Sequence, residues 1–217
     1  MKHEKGVAMN RKQFIAYWAP IGALMAAAGS NAQASDSAAA KAAKRGPRVD
    51  YFPNVTLTTQ EGKQVHFYDD LVEGKVFTLN LMYTTCKGAC PGIMTNLVEL
   101  QDLIADRLGR EVFMYTLSLD PEKDTPEALK EYATKIGARA GWTFLTGALE
   151  DIEAIRRKLG FVDPDPDIDA DRSSHSGMVM FGNERLDRWS ACPALLKPTQ
   201  LARSLNSVAG LPTEQTN

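Results

Sequence analysis

Only three cysteines, Cys86, Cys90 and Cys192, and three histidines occur in the 217 residues of this chain. So few cysteines exclude a mini-domain held together by a disulfide framework. Excess charge of one sign is also missing. The formal net charge is -2, which excludes a strongly basic nucleic-acid binder. Beyond the first thirty residues there is no long apolar run, so a multi-span membrane protein is excluded. No internal repeat is visible. With 44% hydrophobic and 24% charged residues, the chain has the composition of one or two globular domains rather than a disordered polymer.

What is present is unevenly placed. Lys2, Lys5, Arg11 and Lys12 face a single acid, Glu4, in the first twelve residues; an apolar run follows from Phe14 to Ala28, then Ala32-Gln33-Ala34. A basic start, an apolar centre and a small-x-small site read as a secretory signal peptide over residues 1–34. Left uncleaved, the same segment would serve as a membrane anchor, although a span needs about 20 apolar residues. Either way the rest of the chain is expected to be periplasmic or otherwise exported, where disulfides can form. Removing residues 1–34 takes away four basic residues and one acid, leaving 183 residues and a net charge of -5. Residues 35–49, rich in Ala, Ser and Lys, read as a flexible linker. One domain is expected over 50–210, with a tail at 211–217.

Within that domain, Val55–Thr59 and Gln64–Phe67 alternate around Glu61-Gly62, which predicts an N-terminal β-hairpin. Val76–Tyr83 and Val112–Leu119 have the pattern of buried strands. Between them a helix starts near Pro91, with Ile93, Leu97, Leu100, Ile104 and Leu108 at helical spacing and Gly109 closing it. Asp124 or Thr125 caps a second helix whose inner face is Leu129, Tyr132, Ala133 and Ile136. Trp142–Leu145 is a short strand, and Ile152, Ile155 and Leu159 mark a third helix. Met178–Phe181 and Arg185–Trp189 form a second hairpin turning at Gly182-Asn183, before a last helix over Pro198–Val208. The alternating acids Asp163, Asp165, Asp167, Asp169 and Asp171 do not fit a calcium loop, since Ile168 stands where the sharp turn needs glycine; they read as a solvated loop. The order predicts an α/β fold, a central mixed sheet flanked by helices.

The chemistry concentrates at Thr84-Thr85-Cys86-Lys87-Gly88-Ala89-Cys90-Pro91. Two thiols sit at a strand-to-helix junction, where amide groups and the helix dipole favour a thiolate. That placement narrows the fold to a thioredoxin-like one. Three residues separate the cysteines, a spacing that permits a disulfide and also lets both sulfurs converge on one ion. Thiolates suit copper(I), and an added imidazole suits copper(II). His175 is the candidate third ligand, because His66 falls in the first hairpin. A structural disulfide and an ordinary surface or core histidine are the plain alternatives. Cys192 reads as an inert buried thiol or, in an exported protein, an intermolecular partner.

Cys86-Lys-Gly-Ala-Cys90-Pro91, then Asp120-Pro-Glu-Lys-Asp124-Thr-Pro126, then His175 together resemble the SCO/SenC family over residues 50–210. Cys192 lies outside that pattern. The resemblance implies a thioredoxin fold and a copper site built from Cys86, Cys90 and His175. It also implies a role in assembling the copper centre of cytochrome c oxidase. Asp120 and Asp124 would lie in a nearby loop, shaping the site or a partner surface. Implied partners are the copper-receiving subunit of a haem–copper oxidase or another exported copper protein, and a copper donor or thiol reductant. Thioredoxin-type oxidoreductases carry a proline before the strand that faces their cysteines; Ser173-Ser174-His175-Ser176-Gly177 has none and offers an imidazole. A competing reading keeps Cys86 and Cys90 as the redox pair of an exported thiol-disulfide oxidoreductase.

Overall fold

The computed structural model describes residues 46–170 and 177–211. The predicted signal peptide, most of the predicted linker, and His175 lie outside the described residues.

Three parallel strands make the centre: β3 (Val76–Met82), β4 (Val112–Ser118) and β5 (Trp142–Gly147). They are almost wholly buried, as expected of strands covered on both faces. β1 (Thr56–Thr59) and β2 (Gln64–His66) pair antiparallel, and β1 runs antiparallel to β5. On the other side β6 (Met178–Asn183) and β7 (Arg188–Pro193) extend the sheet antiparallel to β3. The seven strands follow the order β2-β1-β5-β4-β3-β6-β7. One face packs under α1 (Cys90–Leu103), α2 (Pro126–Ile136) and α5 (Pro198–Ala209), through Ile93, Leu97, Leu129 and Leu205 against Met114, Phe144 and Phe181. The other face lies under α3 (Leu149–Lys158) and a π-helical turn, Phe67–Val72, with Phe77, Leu79 and Leu117 at its centre.

Several sequence expectations shift. α1 stops at Leu103 rather than at Gly109. Ile104 and Leu108 are buried all the same, so apolar spacing continued through a turn that is no longer helical; Leu108 instead bridges to Val112. Gly109 and Gly141 meet backbone to backbone, and a Cβ on Gly141 would lie 2.4 Å from the Gly109 nitrogen. The second hairpin turns at Glu184–Asp187, and Gly182-Asn183 belongs to β6. Glycine is needed there for packing: a Cβ on Gly182 would sit 2.5 Å from Trp189 Cζ3 and 2.8 Å from Phe77 Cε1.

Residues 46–49, the expected end of the linker, form a turn. Arg48 Nε is 2.6 Å from Asp187 Oδ1, Tyr51 donates its hydroxyl to the Lys158 carbonyl at 2.9 Å, and Phe52 packs against Trp189 with ring centroids 5.1 Å apart. The acidic loop is not wholly solvated either. Part of it forms the short helix α4 (Pro166–Ala170), and Asp169 turns back onto buried Arg156 at 2.6 Å.

Candidate metal centre

β3 ends at Met82, the Cys86 amide donates to the Tyr83 carbonyl at 3.1 Å, and α1 begins at Cys90. Ala89 holds the cap position of that helix with no side-chain cap hydrogen bond of its own, and Pro91 has no N–H to offer. The Cys86 sulfur lies in a polar setting made by Cys90, Gly88 and Tyr83. Burial works to raise the Cys86 pKa, but hydrogen bonding with the Cys90 thiol first, then with the Cys90 and Gly88 amides and Tyr83, outweighs it and the net shift is downward. Cys90 goes the other way. It is 2% exposed, and burial first, then sharing its proton with a negatively charged Cys86, pushes its pKa up to about 12. The partly exposed sulfur and the buried one are thus shifted in opposite directions.

Asp124 fixes the loop from behind. It is fully buried, and Thr125, not Asp124, caps α2 by accepting the Ala128 amide at 3.3 Å. The Asp124 carboxylate instead accepts the Thr84 amide at 3.1 Å, the Thr84 hydroxyl, and the Ser118 hydroxyl at 2.5 Å. Two strand-to-helix loops are thus tied together two residues before Cys86. Asp120 is 4% exposed, close to Lys123 Nζ at 2.9 Å, and its amide donates to the Ser118 hydroxyl at 3.0 Å. Both acids are buried inside the loops rather than presented at the surface.

Cys86 and Cys90 are brought together as expected, while His175 lies outside the described residues. Among the described residues no three His, Cys, Asp or Glu side chains cluster closely enough to hold a metal ion. His66 is exposed on β2, beside Thr56. Cys192, on β7 opposite Val179, is half-buried, and burial raises its pKa against a hydrogen bond with Ser204. Sequence reasoning missed Tyr83, Thr84 and Ser118 as supports of the site, and Tyr132, whose pKa is raised by burial and then by the nearby charges of Cys90, Cys86 and Asp124. The only sequence signal for the first two was their place between a buried strand and a cysteine. Two adjacent thiols can give up their protons to bind a thiophilic ion, or lose them on oxidation to a disulfide.

The chain resembles known proteins over this same domain. It is 31% identical over 114 residues to the SCO1 protein homolog of Bacillus subtilis, an alignment covering 48% of this chain and 57% of that protein. The chain thus spans about three-fifths of the length of the curated relatives it matches. Among solved structures, Arabidopsis thaliana ScoI with copper bound is similar with a TM-score of 0.54 at 21% identity, covering 71% of this chain and 93% of that one. BsSco, described as a member of the Sco family of cytochrome c oxidase assembly proteins with a disulfide switch, matches with a TM-score of 0.59 at 22% identity, covering 73% and 92%. These neighbours share the thioredoxin-like fold. The SCO1/SenC profile matches residues 44–210, most of the chain and both loops of the cysteine site; the protein belongs to the SCO1/SenC family.

Proposed function

We propose that this protein is an exported copper metallochaperone that binds one copper ion through Cys86, Cys90 and His175. The observation that carries the reading is the sulfur pair at the entrance of α1, where the cap residue is Ala89. One sulfur is already favoured as thiolate, and the other needs to give up only one proton. Soft sulfur donors select copper(I) over harder ions, and an imidazole extends the set to copper(II). The copper is cargo. It leaves by ligand exchange to the thiolates of an acceptor, for which the copper-receiving subunit of a haem–copper oxidase is the foremost candidate. Export through residues 1–34, or anchoring by them, places the site where such acceptors are exposed. Copper titration of the fully reduced protein tests the reading, with His175→Ala beside it. One equivalent bound, with copper(II) binding lost in the variant, is expected. Absence of specific copper binding would overturn it.

A second reading rests on the inequality of the two thiols. A partly exposed thiolate beside a buried thiol is also the arrangement of an attacking and a resolving cysteine. Fast exchange with a disulfide substrate, without copper binding, would favour a thiol-disulfide oxidoreductase.

A further inference from the structure

The end of the sheet remote from Cys86 carries charge and apolar surface that the cysteine chemistry does not use. Val76, the first residue of β3, pairs with Asn183, so the β6–β7 turn at Glu184–Asp187 lies at the opposite end of β3 from Met82 and the cysteine loop. Leu186 in that turn is 52% exposed, and the exposed Arg185 and Arg188 flank it in sequence. A Cβ on Gly210, which closes α5, would lie 3.2 Å from Arg188 Nη1 and 3.4 Å from Leu186 Cδ1, and Leu211 beyond it is exposed. From the other side Arg48 pairs with Asp187 and lies over the Tyr51 ring at 5.6 Å, with Lys158 Nζ over the same ring at 5.2 Å. Tyr51 is itself 44% exposed. Arg48, Lys158, Arg185 and Arg188 thus share one surface with Leu186 and Tyr51. Of the acids in segments 46–52 and 184–188, Asp187 is paired with Arg48 and Asp50 is exposed. Glu184 is buried, accepting the Tyr68 hydroxyl at 2.9 Å and the Gly74 amide at 3.0 Å.

We propose that this pole is a docking surface for an anionic lipid bilayer. Exposed leucine and tyrosine ringed by arginine and lysine suit a membrane interface: the apolar tips enter the headgroup boundary while the cations meet lipid phosphates. A tyrosine favours that depth because its ring is apolar at one end and wet at the other. The attraction is local, since the chain from residue 35 onward carries a net charge of -5. A basic pole on an acidic chain orients the domain as well as holding it. The chain leads to the same place. Gly46, the first described residue, packs on the Glu184 carboxylate with no room for a Cβ. Residues 1–45 therefore join the domain at this pole, bringing the apolar run Phe14–Ala28 and, just before Gly46, Lys41, Lys44 and Arg45. With the pole docked, the cysteine loop faces away from the bilayer, separated from it by the seven residues of β3, about 20 Å of strand. An acceptor then meets the sulfur pair from the aqueous side.

Amide hydrogen exchange of the full chain, read by mass spectrometry, tests the proposal on vesicles of phosphatidylcholine alone and on vesicles that also contain phosphatidylglycerol. The readout is local to segments 46–52 and 184–188, so it reports on this pole whether or not residues 1–34 hold the chain to the vesicle. Amides of these two segments are expected to exchange about tenfold more slowly on the anionic vesicles. The protection should vanish at high salt, and exchange around Cys86 and Cys90 should stay unchanged. Arg185→Gln with Arg188→Gln removes two charges at exposed positions. Leu186→Ser separately removes the apolar tip, so that a folding failure of one variant leaves the other to report. Each is expected to return exchange to the rate seen on phosphatidylcholine. Equal exchange on the two kinds of vesicle, or protection that survives both variants, would overturn the proposal. So would protection confined to the cysteine loop, which would turn the domain the other way up. Slowed exchange at this pole with soluble polyglutamate but not with vesicles would assign the surface to an acidic protein and overturn the lipid as well. None of these readings requires copper, so their failure leaves the metallochaperone function untouched.

Discussion

At the scale of the residue, the two cysteines of one motif have been made unequal by what surrounds each sulfur. Cys86 sits partly exposed in a polar setting at the entrance of α1, which lowers its pKa, whereas Cys90 is enclosed by the core beneath α1. In the reduced, copper-free protein, one equivalent of iodoacetamide at neutral pH is expected to label Cys86 before Cys90 and Cys192, as read by peptide mass spectrometry. Preferential labelling of Cys90 would contradict the burial pattern. Asp124 illustrates a different lesson. By sequence it served equally as helix cap or site residue, and the structure hands the cap to Thr125 and leaves the carboxylate to Thr84 and Ser118. Asp124→Ala strips the Ser118 hydroxyl and the part-buried amide and hydroxyl of Thr84 of their acceptor and is expected to cost about 3 kcal/mol in urea unfolding, with Asp124→Asn less costly because one acceptor oxygen remains.

Elements were legible where periodicity and burial agreed, and misread where an apolar residue is buried for another reason. β3, β4 and α5 match their sequence patterns within a residue or two. The end of α1 does not, because Ile104 and Leu108 stay in the core after the helix has stopped. The Gly182-Asn183 pair looked like a turn because glycine and asparagine favour turns, yet Gly182 is small so that Trp189 and Phe77 can close over it. Gly182→Val should therefore behave as an overpacked core, losing about 2 kcal/mol in chemical denaturation; a neutral effect would restore the turn reading. α3 and α4 are held by Arg156, which contacts Glu153, Asp169 and the Phe161 carbonyl. The Arg156 guanidinium, through hydrogen bonds first and charge second, holds the Asp169 carboxyl well below the usual carboxylate range. A carboxylate depressed in the folded state stabilises above its unfolded pKa, near 3.9, and that stability is lost as the pH falls below it. The melting temperature of the unaltered protein should thus fall more steeply than that of Asp169→Asn between about pH 5 and pH 2.

At the scale of the whole molecule, the sheet is closed at the end remote from the cysteines by the first described residues. The turn at 46–49 and Phe52 lie against Asp187, Lys158 and Trp189, so a segment whose composition suggested a tether contributes to the fold. Phe52 is 6% exposed, and Phe52→Ala is expected to cost about 3 kcal/mol in urea unfolding while leaving cysteine labelling unchanged, because it packs on the sheet face away from α1. Much was settled by local sequence: the α/β alternation, the junction that carries Cys86 and Cys90, and the motif that identifies the family. Those features depend on backbone periodicity and on short-range spacing, which a linear chain displays directly. Other features needed the folded chain, namely the opposite shifts of the two sulfurs, the Asp124 clamp on Thr84 and the packing role of Gly182. Each depends on groups far apart in sequence, such as Thr84 and Asp124, and on which of them loses contact with water. Cys86, Cys90 and Cys192 are thus chemically three different groups, and tertiary burial is what separates them.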